Sequence, residues 1–420
     1  MLSKRDKQIE LLSPAGEFES LMAAIQGGAD AVYFGVGKLN MRVSSTKNFL
    51  PSDLPEIKKI CVDHHVRAYL TLNTVMYDSD LESIREMVRL VKDTGIDAVV
   101  ASDFSVIACA RELNVPVHIS TQANVSNLEA LKFFSAFGDV IVLARELDLD
   151  QVKKICTEAR KQNLKGPSGY PLRVEAFIHG ALCMSISGKC YLSLHEKNKS
   201  ANRGECMQLC RRGYAVTEKD EGYQLEIDNE YIMSPKDLST IIFIDKILDT
   251  GVEVLKIEGR GRAPEYVKIV TACYREAIDD WKNGVFSIDR AMKLEKKLGT
   301  VYNRGFWEGY YMGKKSGEWS ERYGSSASRK KIYIGKGMNY FPKVGVAEFR
   351  IETGSVKIGD EILIIGPTTG VLEEKVKEIR VDEKPVTLAE KGVSCSIPVN
   401  RTVRRSDKLY KWVESKGSSS

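Results

Sequence analysis

Short apolar runs rich in β-branched residues alternate with amphipathic helical stretches over the first two thirds of the chain. The runs predict eight strands, at residues 9–13, 31–34, 67–72, 98–101, 115–120, 140–143, 173–178 and 252–257. Between them apolar residues recur at helical spacing, as in residues 81–92. Eight strands each followed by a helix favour an α/β fold, a (β/α)8 TIM-like barrel over residues 1–285. A doubly wound open sheet is the alternative, because periodicity does not show whether a sheet closes.

Two regions depart from this alternation. Residues of about 178–230 show little periodicity, and a long irregular insertion in a compact domain is usually functional or disordered. After a connector at 286–329, short alternating segments with turn signals predict a small antiparallel β-barrel at 330–413. Residues 414–420 are predicted to be a disordered tail. The short run at 231–234 is predicted to be a hairpin or insertion and not a ninth barrel strand.

Composition excludes several classes of protein. The 420 residues are 43% hydrophobic and 28% charged, which rules out a disordered or collagen-like chain. No apolar run approaches the roughly 20 residues that a membrane span needs, and no apolar segment follows the basic start, so we expect a cytoplasmic protein without a membrane partner. The net charge of +5 permits a polyanionic partner but does not demand one.

Four of the nine cysteines lie close together in the irregular insertion. Their spacing is Cys183-x6-Cys190-x15-Cys206-x3-Cys210. Thiols in the cytosol stay reduced, so a cluster of them favours a metal site over disulfides. Four thiolates suit an iron–sulfur cluster or a tetrahedral zinc ion, although the first pair is wider than a zinc knuckle. Unliganded thiols remain the third alternative.

The residues around the first two cysteines form a recognisable motif. It requires Glu, Phe, Gly, Ala or Ser, Cys, Gly, Cys and Ser at set spacing, and the chain supplies Glu175, Phe177, Gly180, Ala181, Cys183, Gly188, Cys190 and Ser193. This segment resembles the signature of the U32, or collagenase-like, peptidase family. The resemblance extends over about the first 310 residues, through segments such as 118–124, 233–238 and 255–260. A C-terminal β-barrel is common in this family.

The resemblance implies one of two activities. The family is named for proteolysis, but its better-defined members are RNA and quinone hydroxylation factors that hold an iron–sulfur cluster on four cysteines. The chain looks most like the members that form 5-hydroxyuridine at the wobble position of tRNA, with prephenate instead of oxygen. This resemblance implies tRNA and a small carboxylate as partners, and a 4Fe–4S cluster, with zinc as the alternative metal, on Cys183, Cys190, Cys206 and Cys210.

Polar residues directly follow the predicted strands, and in a closed barrel these positions meet at the mouth. Prephenate carries two carboxylates, and arginine binds a carboxylate through two hydrogen bonds. We therefore predict substrate-binding roles for Arg42, Arg145, Lys256 and Arg260. An ion pair of Arg145 with Glu146 or Glu175 is the alternative. Candidates for orienting the uracil or relaying a proton are Glu175, His179, Gln122 and Asn124.

Proteolysis and RNA binding without catalysis are the alternative functions. The chain has neither a Gly-x-Ser-x-Gly elbow nor a His-Glu-x-x-His helix. A Cys183–His179 nucleophile pair would support hydrolysis but would leave the other three clustered cysteines unexplained. For RNA contact, the aromatic residues of 302–311 and the basic residues of 401–411 are candidates. Packing of those aromatic residues on the barrel is the alternative.

Overall fold

The computed structural model describes residues 9–44, 47–215, 231–313 and 317–415. The strands of the first region are β1 (Glu10–Ala15), β2 (Ala31–Phe34), β3 (Arg67–Leu72), β4 (Ala98–Ala101), β5 (Val117–Ile119), β6 (Val140–Val142), β7 (Arg173–Ala181), β8 (Asp237–Ser239) and β9 (Val254–Ile257). The helices are α1 (Phe18–Gln26), α2 (Leu54–Asp63), α3 (Leu81–Thr94), α4 (Phe104–Glu112), α5 (Leu128–Ser135), α6 (Leu149–Lys161), α7 (Leu192–Lys197), α8 (Ile244–Thr250), α9 (Pro264–Lys282) and α10 (Ile288–Leu298).

Eight parallel strands close into a barrel. Strands β1 to β7 pair in chain order, and β9 pairs with both β7 and β1. Closure is seen at Val254, which lies opposite Glu175 on one side and Glu10 on the other. The predicted (β/α)8 barrel is therefore confirmed, and the open-sheet alternative is wrong.

The helices form as the apolar spacing predicts. In α3 the buried residues are Ile84, Val88 and Val91, one stripe that faces the strands. Gly95 ends this helix in the left-handed conformation, at φ 72°, which glycine adopts without steric cost. Gly138 does not end α5 in the same way, because that helix ends at Ser135 and Gly138 is not among the glycines with positive φ.

The barrel has an inner and an outer core. The inner core is small and contains side chains from alternate strand positions, including Tyr33, Tyr69 and Val254. The outer core lies between strands and helices and is far larger. Strand β8 is outside the ring: it pairs antiparallel with the end of β7, and β10 (Phe306–Trp307) pairs parallel with β8. The segment 231–234 forms a turn before β8.

The C-terminal region is an antiparallel sheet, as predicted. Eight strands follow the order β15-β14-β20-β11-β12-β19-β16-β17, beside the separate pair β13–β18. Their bounds are β11 (Arg329–Phe341), β12 (Val346–Ile351), β13 (Ser355–Lys357), β14 (Glu361–Gly366), β15 (Gly370–Lys375), β16 (Ile379–Val381), β17 (Lys384–Val386), β18 (Leu388–Glu390), β19 (Ser394–Pro398) and β20 (Lys408–Glu414). The predicted turn at 366–370 joins β14 to β15.

The sheet docks on the barrel through helix α1. The Gln26 side chain donates to the Thr369 carbonyl at 2.8 Å and accepts from the Val371 amide at 2.9 Å. In the connector, helix α10 was not predicted. Trp307 and Tyr311 are buried against the barrel, which agrees with the alternative that the connector's aromatic residues pack on the barrel. Residues 416–420 of the predicted tail and residues 216–230 of the predicted insertion lie outside the described residues. Among the described residues, no helix combines the length and apolar character that membrane crossing requires.

Candidate functional site

A cavity of about 370 Å³ opens at the carboxyl ends of the barrel strands, a size typical of small-molecule sites. The irregular insertion forms one wall, and the strand ends form the floor. Nine predicted site residues line it: Arg42, Gln122, Arg145, Cys183, Cys190, Cys206, Cys210, Lys256 and Arg260. The other three, Asn124, Glu175 and His179, are not among the lining residues.

All four clustered cysteines face this one cavity. Cys183 is exposed and the other three are partly buried. The Leu192 amide donates to Cys190 Sγ at 3.4 Å, as backbone amides do to cluster thiolates. Burial raises the pKa of Cys210, the Arg211 charge lowers it, and the other three thiols raise it further. The thiols therefore share one electrostatic environment.

Cysteine-ligated clusters need four thiolates at one place. The chain fits such a group in donor type, in number and in orientation toward a single cavity. The fit is incomplete in geometry, because the described residues contain no group of three or more His, Cys, Asp or Glu side chains arranged to hold a metal ion.

The insertion is clamped to two loops of the barrel mouth. Gly204 has φ +82°, and a Cβ there would lie 2.2 Å from the Asn40 carbonyl oxygen. Arg203 pairs with Asp80, donates to the Val75 carbonyl at 3.0 Å and stacks over the Tyr77 ring at 4.3 Å. Arg203 therefore anchors the insertion, which is a more specific role than a solvated surface charge.

We expect Gly204→Ala to loosen the insertion without unfolding the barrel. The added Cβ meets backbone that has no freedom to withdraw, and the left-handed φ adds strain of about 1 kcal/mol or more. Hydrogen exchange should rise in residues 183–215 and stay unchanged in α3. Gly169→Ala is the control, because its φ is also positive but nothing lies within 4 Å of its Cβ position. Equal exchange in the two variants would contradict the clamp.

Arg42 and Glu258 form the first ion pair of the cavity floor. Arg42 Nη2 lies 2.6 Å from Glu258 Oε1, and the Tyr33 hydroxyl donates to Glu258 Oε2 at 3.2 Å. Burial by itself would raise the pKa of Glu258, but three neighbouring arginines, Arg42, Arg145 and Arg260, outweigh it and hold that pKa at about 2. Arg42 is therefore already neutralised by a protein carboxylate.

Arg145 and Arg260 differ from Arg42, since neither has a carboxylate ion-pair partner among the described residues. Arg145 Nη1 donates only to the Ala181 carbonyl, at 3.2 Å, and its guanidinium lies 3.8 Å above the Phe177 ring. Its Nε is buried and has no hydrogen-bond partner in the described part of the chain. Arg260 Nη1 donates to Asn40 and Thr71 at 3.0 and 2.8 Å, and burial lowers its pKa to about 10. The proposed pairing of Arg145 with Glu146 or Glu175 is not found.

The cavity as a whole carries an excess of positive charge. Glu258 is its one lining carboxylate among the described residues, whereas the lining cations are Arg42, Arg145, Arg211, Lys256, Arg260, Arg262 and Arg304. Two of these, Arg262 and Arg304, share Asp237 behind the wall. Burial of a cation without a partner costs free energy, and a bound anion would remove that cost. The arrangement is therefore complementary to an anion.

Glu175 lies beneath the floor of the cavity and not in it. It is fully buried, and its Oε1 lies 2.7 Å from Lys256 Nζ. The same Nζ lies 4.5 Å from the centre of the Tyr33 ring. The other oxygen of Glu175 has no partner among the described groups, and burial raises the pKa of this residue. The contacts fit a role in holding Lys256 better than direct contact with a substrate.

His179 lies behind the cavity wall. Its Nδ1 is 3.3 Å from the Tyr274 hydroxyl, and its ring packs against Tyr266 and Phe306. Burial lowers its pKa to about 4, so it is neutral at physiological pH. Asn124 adopts a left-handed conformation after the 3-10 turn 121–123, also outside the cavity. The predicted catalytic roles of both residues gain no support from these positions.

Pattern analysis missed several lining residues. Tyr33 lies two positions after inward-facing Ala31 on β2, so it shares that face, and strand parity was the signal that could have identified it. Thr71 follows the same rule on β3. Arg211, Arg262 and Arg304 had no such signal, because they come from segments without periodicity and only folding brings them to the cavity.

A family model described as Peptidase family U32 matches residues 16–321. The chain belongs to this family. The U32 assignment agrees with the signature around Cys183 and Cys190, and it covers the barrel from α1 to β9 together with the insertion.

Named U32 relatives fall into two groups. A collagenase from Porphyromonas gingivalis is 55% identical over 403 residues, which are 96% of this chain and 97% of that protein. The tRNA hydroxylation protein P1 of Bacillus subtilis is 31% identical over 373 residues, 86% of this chain and 84% of that protein. The 23S rRNA 5-hydroxycytidine C2501 synthase of Escherichia coli is 36% identical over 278 residues, 65% of this chain and 39% of that protein. Sequence identity is thus higher to the collagenase than to the tRNA hydroxylation protein or the rRNA 5-hydroxycytidine synthase.

The histidines of this U32 chain lie outside the cavity that holds the cysteines. All five histidines of the chain are described, and none lines the cavity that holds the cysteines. His118 is buried inside the barrel against Tyr69, and burial lowers its pKa to about 3. A cysteine nucleophile is activated either by an adjacent base or by neighbouring cations that lower the pKa of the thiol. The cavity supplies positive charge and thiols, and it supplies no imidazole.

Proposed function

We propose that this protein catalyses the oxygen-independent hydroxylation of an RNA base, the 5-hydroxylation of a wobble uridine in tRNA, with prephenate as the oxygen donor. One observation carries the proposal: four cysteines and an excess of arginines line the same barrel-mouth cavity. RNA-hydroxylating relatives at 31% and 36% identity support the reaction class. A tRNA substrate would be met in the cytoplasm.

The four cysteines Cys183, Cys190, Cys206 and Cys210 would hold a 4Fe–4S cluster in this proposal. When bound, such a cluster supplies electron transfer or activation of an oxygen atom next to the cavity. Four thiols at one cavity are more than a cysteine nucleophile requires, and this surplus supports a ligand role for them. Zinc is the alternative metal for the same thiols.

The cations of the cavity floor would bind the donor's carboxylates. Arg145 and Arg260 are the two floor arginines that have no carboxylate ion-pair partner within the ranges the structure describes, so they are the proposed anchors. Lys256, held by Glu175, also lines the cavity as a third cation. Gln122 lies against the insertion, its amide 3.4 Å from the position a Gly188 Cβ would take, where it can hydrogen-bond a uracil edge.

Peptidase activity is the second candidate, favoured by 55% identity to a collagenase over nearly the whole chain. Against it stands the absence of any histidine from the cavity lining. Cleavage of gelatin by the purified protein that is lost in Cys183→Ala, with metal content unchanged, would favour this candidate. A third possibility, RNA binding without catalysis, predicts that prephenate and tRNA give no product with the purified protein alone.

Nucleoside mass spectrometry of bulk tRNA is the deciding experiment. We expect 5-hydroxyuridine and its derivatives to disappear when the gene is deleted and to return with the wild-type gene. Cys206→Ala should fail to restore them, because it removes one of four thiols at the cavity. Cys109→Ala is the matched control, since that cysteine is buried on α4 away from the site.

An unchanged nucleoside profile after deletion would contradict the proposal. Restoration by Cys206→Ala as complete as by Cys109→Ala would contradict the role of the thiols while leaving the reaction in place.

A further inference from the structure

Large apolar side chains are exposed around the cavity entrance, on the insertion that carries the cysteines. We call this surface the insertion rim, and it consists of Met184, Ile186, Tyr191 and Met207. Their side chains are between 47% and 75% exposed, with Tyr191 the most exposed. Exposed apolar side chains grouped around a cavity mark an interaction surface.

The insertion rim is continuous with the cavity. Tyr191 lies between Cys190 and Leu192, and both of these residues line the cavity. Met207 lies in the same way between two lining residues, Cys206 and Gln208, and Met184 is itself part of the lining. The rim therefore adjoins the wall of the cavity that carries the cysteines.

The charge of the insertion identifies the chemistry of its partner. Residues 183–215 contain six basic and two acidic side chains, a net charge of +4, whereas all 420 residues carry +5. Residues 330–415 also reach +4, but with sixteen basic and twelve acidic side chains over a far longer segment. Net positive charge thus lies beside the cavity entrance as well as on the C-terminal sheet, and a polyanion is the complementary partner at the entrance.

Some of these cations hold the insertion in place, while others remain available. Arg203 pairs with Asp80 and Lys199 with Glu205. Lys197 and Arg212 are exposed, and neither has an ion-pair partner among the described residues. These two side chains are therefore able to contact phosphates.

We infer that the insertion rim is the docking surface for an unpaired RNA loop, with Tyr191 as the side chain on which a base stacks. The inference rests on the proposed function and adds the RNA contacts to it. Proteins read unpaired RNA by stacking its bases on aromatic side chains, while phosphates are held by nearby cations. The cavity of about 370 Å³ has the size of a small-molecule site, so it admits a single extruded base and not a duplex.

Binding of a fluorescent tRNA anticodon stem-loop with uridine at the wobble position tests the inference. Fluorescence anisotropy is measured on the full-length protein as purified, without prephenate. We expect Tyr191→Ala to raise the Kd about tenfold, the usual effect of losing one stacked base, and Tyr191→Phe to retain wild-type affinity. Tyr170→Ala is the matched control, because Tyr170 is 76% exposed but precedes β7, at the opposite end of the barrel.

A salt titration tests the phosphate contacts separately. Arg212→Gln should reduce the slope of log Kd against log salt by about 0.7, the value for one lost contact to a single strand. Lys153→Gln on α6 should leave the slope unchanged.

Equal affinity of Tyr191→Ala and Tyr170→Ala for the stem-loop would overturn the inference. So would loss of gelatin binding in Tyr191→Ala with RNA binding intact, which would assign the rim to a peptide. Nucleoside analysis with the same preparations separates the two proposals. Tyr191-dependent binding without 5-hydroxyuridine would refute only the reaction, and hydroxylation that is indifferent to Tyr191 would refute only the docking surface.

Discussion

Replacing Arg145 with alanine is expected to lower kcat/KM for the carboxylate co-substrate about a hundredfold, because two charge-assisted hydrogen bonds of about 1.5 kcal/mol each are lost. The guanidinium is buried at the cavity, stacks on Phe177 and donates to a single backbone carbonyl. Its Nε has no partner among the described groups, so an incoming carboxylate completes its hydrogen bonding. Steady-state kinetics of 5-hydroxyuridine formation at varied prephenate measures this loss.

Two further variants make the Arg145 result specific. Arg145→Lys keeps the charge but not the planar pair of donors, so it should recover only part of the loss. Arg111→Ala is the control, since Arg111 lies on α4 over the Phe137 ring, far from the mouth. If the KM for prephenate is unchanged in Arg145→Ala, carboxylate binding by this residue is wrong.

Breaking the Glu175–Lys256 pair is expected to produce the largest loss of stability. Both side chains are at most 5% exposed, and their atoms lie 2.7 Å apart. Removal of one partner from a buried pair leaves an uncompensated charge, which costs about 3–5 kcal/mol. We therefore expect Glu175→Leu and Lys256→Met each to reduce the free energy of unfolding by that amount. Equilibrium urea unfolding followed by circular dichroism measures the reduction.

The double variant separates charge from packing. Glu175→Leu combined with Lys256→Met should be more stable than either single variant, because apolar side chains of similar volume replace a buried ion pair at little cost. Glu129→Gln, which breaks an exposed pair with Lys132, should change stability by less than about 0.5 kcal/mol. Additive losses in the double variant would show that the two residues act independently.

The same pair shows what the sequence did not reveal about Glu175, a predicted catalytic residue. In the sequence it is a polar residue of a predicted strand within the family signature, and such a residue is expected to face the site. In the folded chain it lies between Glu10 and Lys256, both of them inside the barrel. A carboxylate needs a partner when it is buried, and that partner is 81 residues away in the sequence.

The positions of the cysteines were predictable, whereas the roles of the arginines were not. Cys183 and Cys190 belong to a segment whose spacing is visible in the chain, and their place after β7 puts them at the barrel mouth. Arg42, Arg145 and Arg260 appear equivalent in the sequence. The structure separates them, because Glu258 neutralises Arg42 while the other two have backbone or neutral side-chain acceptors.

Apolar periodicity and a local motif depend on residues close together in the chain, so the alternation of strands and helices, the insertion, the antiparallel C-terminal region and the family could be predicted from the sequence. The folded structure was needed to show which cations pair with carboxylates. It was also needed to show that His179 lies behind the cavity wall and that Gly204 packs against the Asn40 carbonyl. Those relations depend on distances between segments far apart in the chain. Such distances arise from strand closure and loop packing, which leave no periodic trace in the sequence.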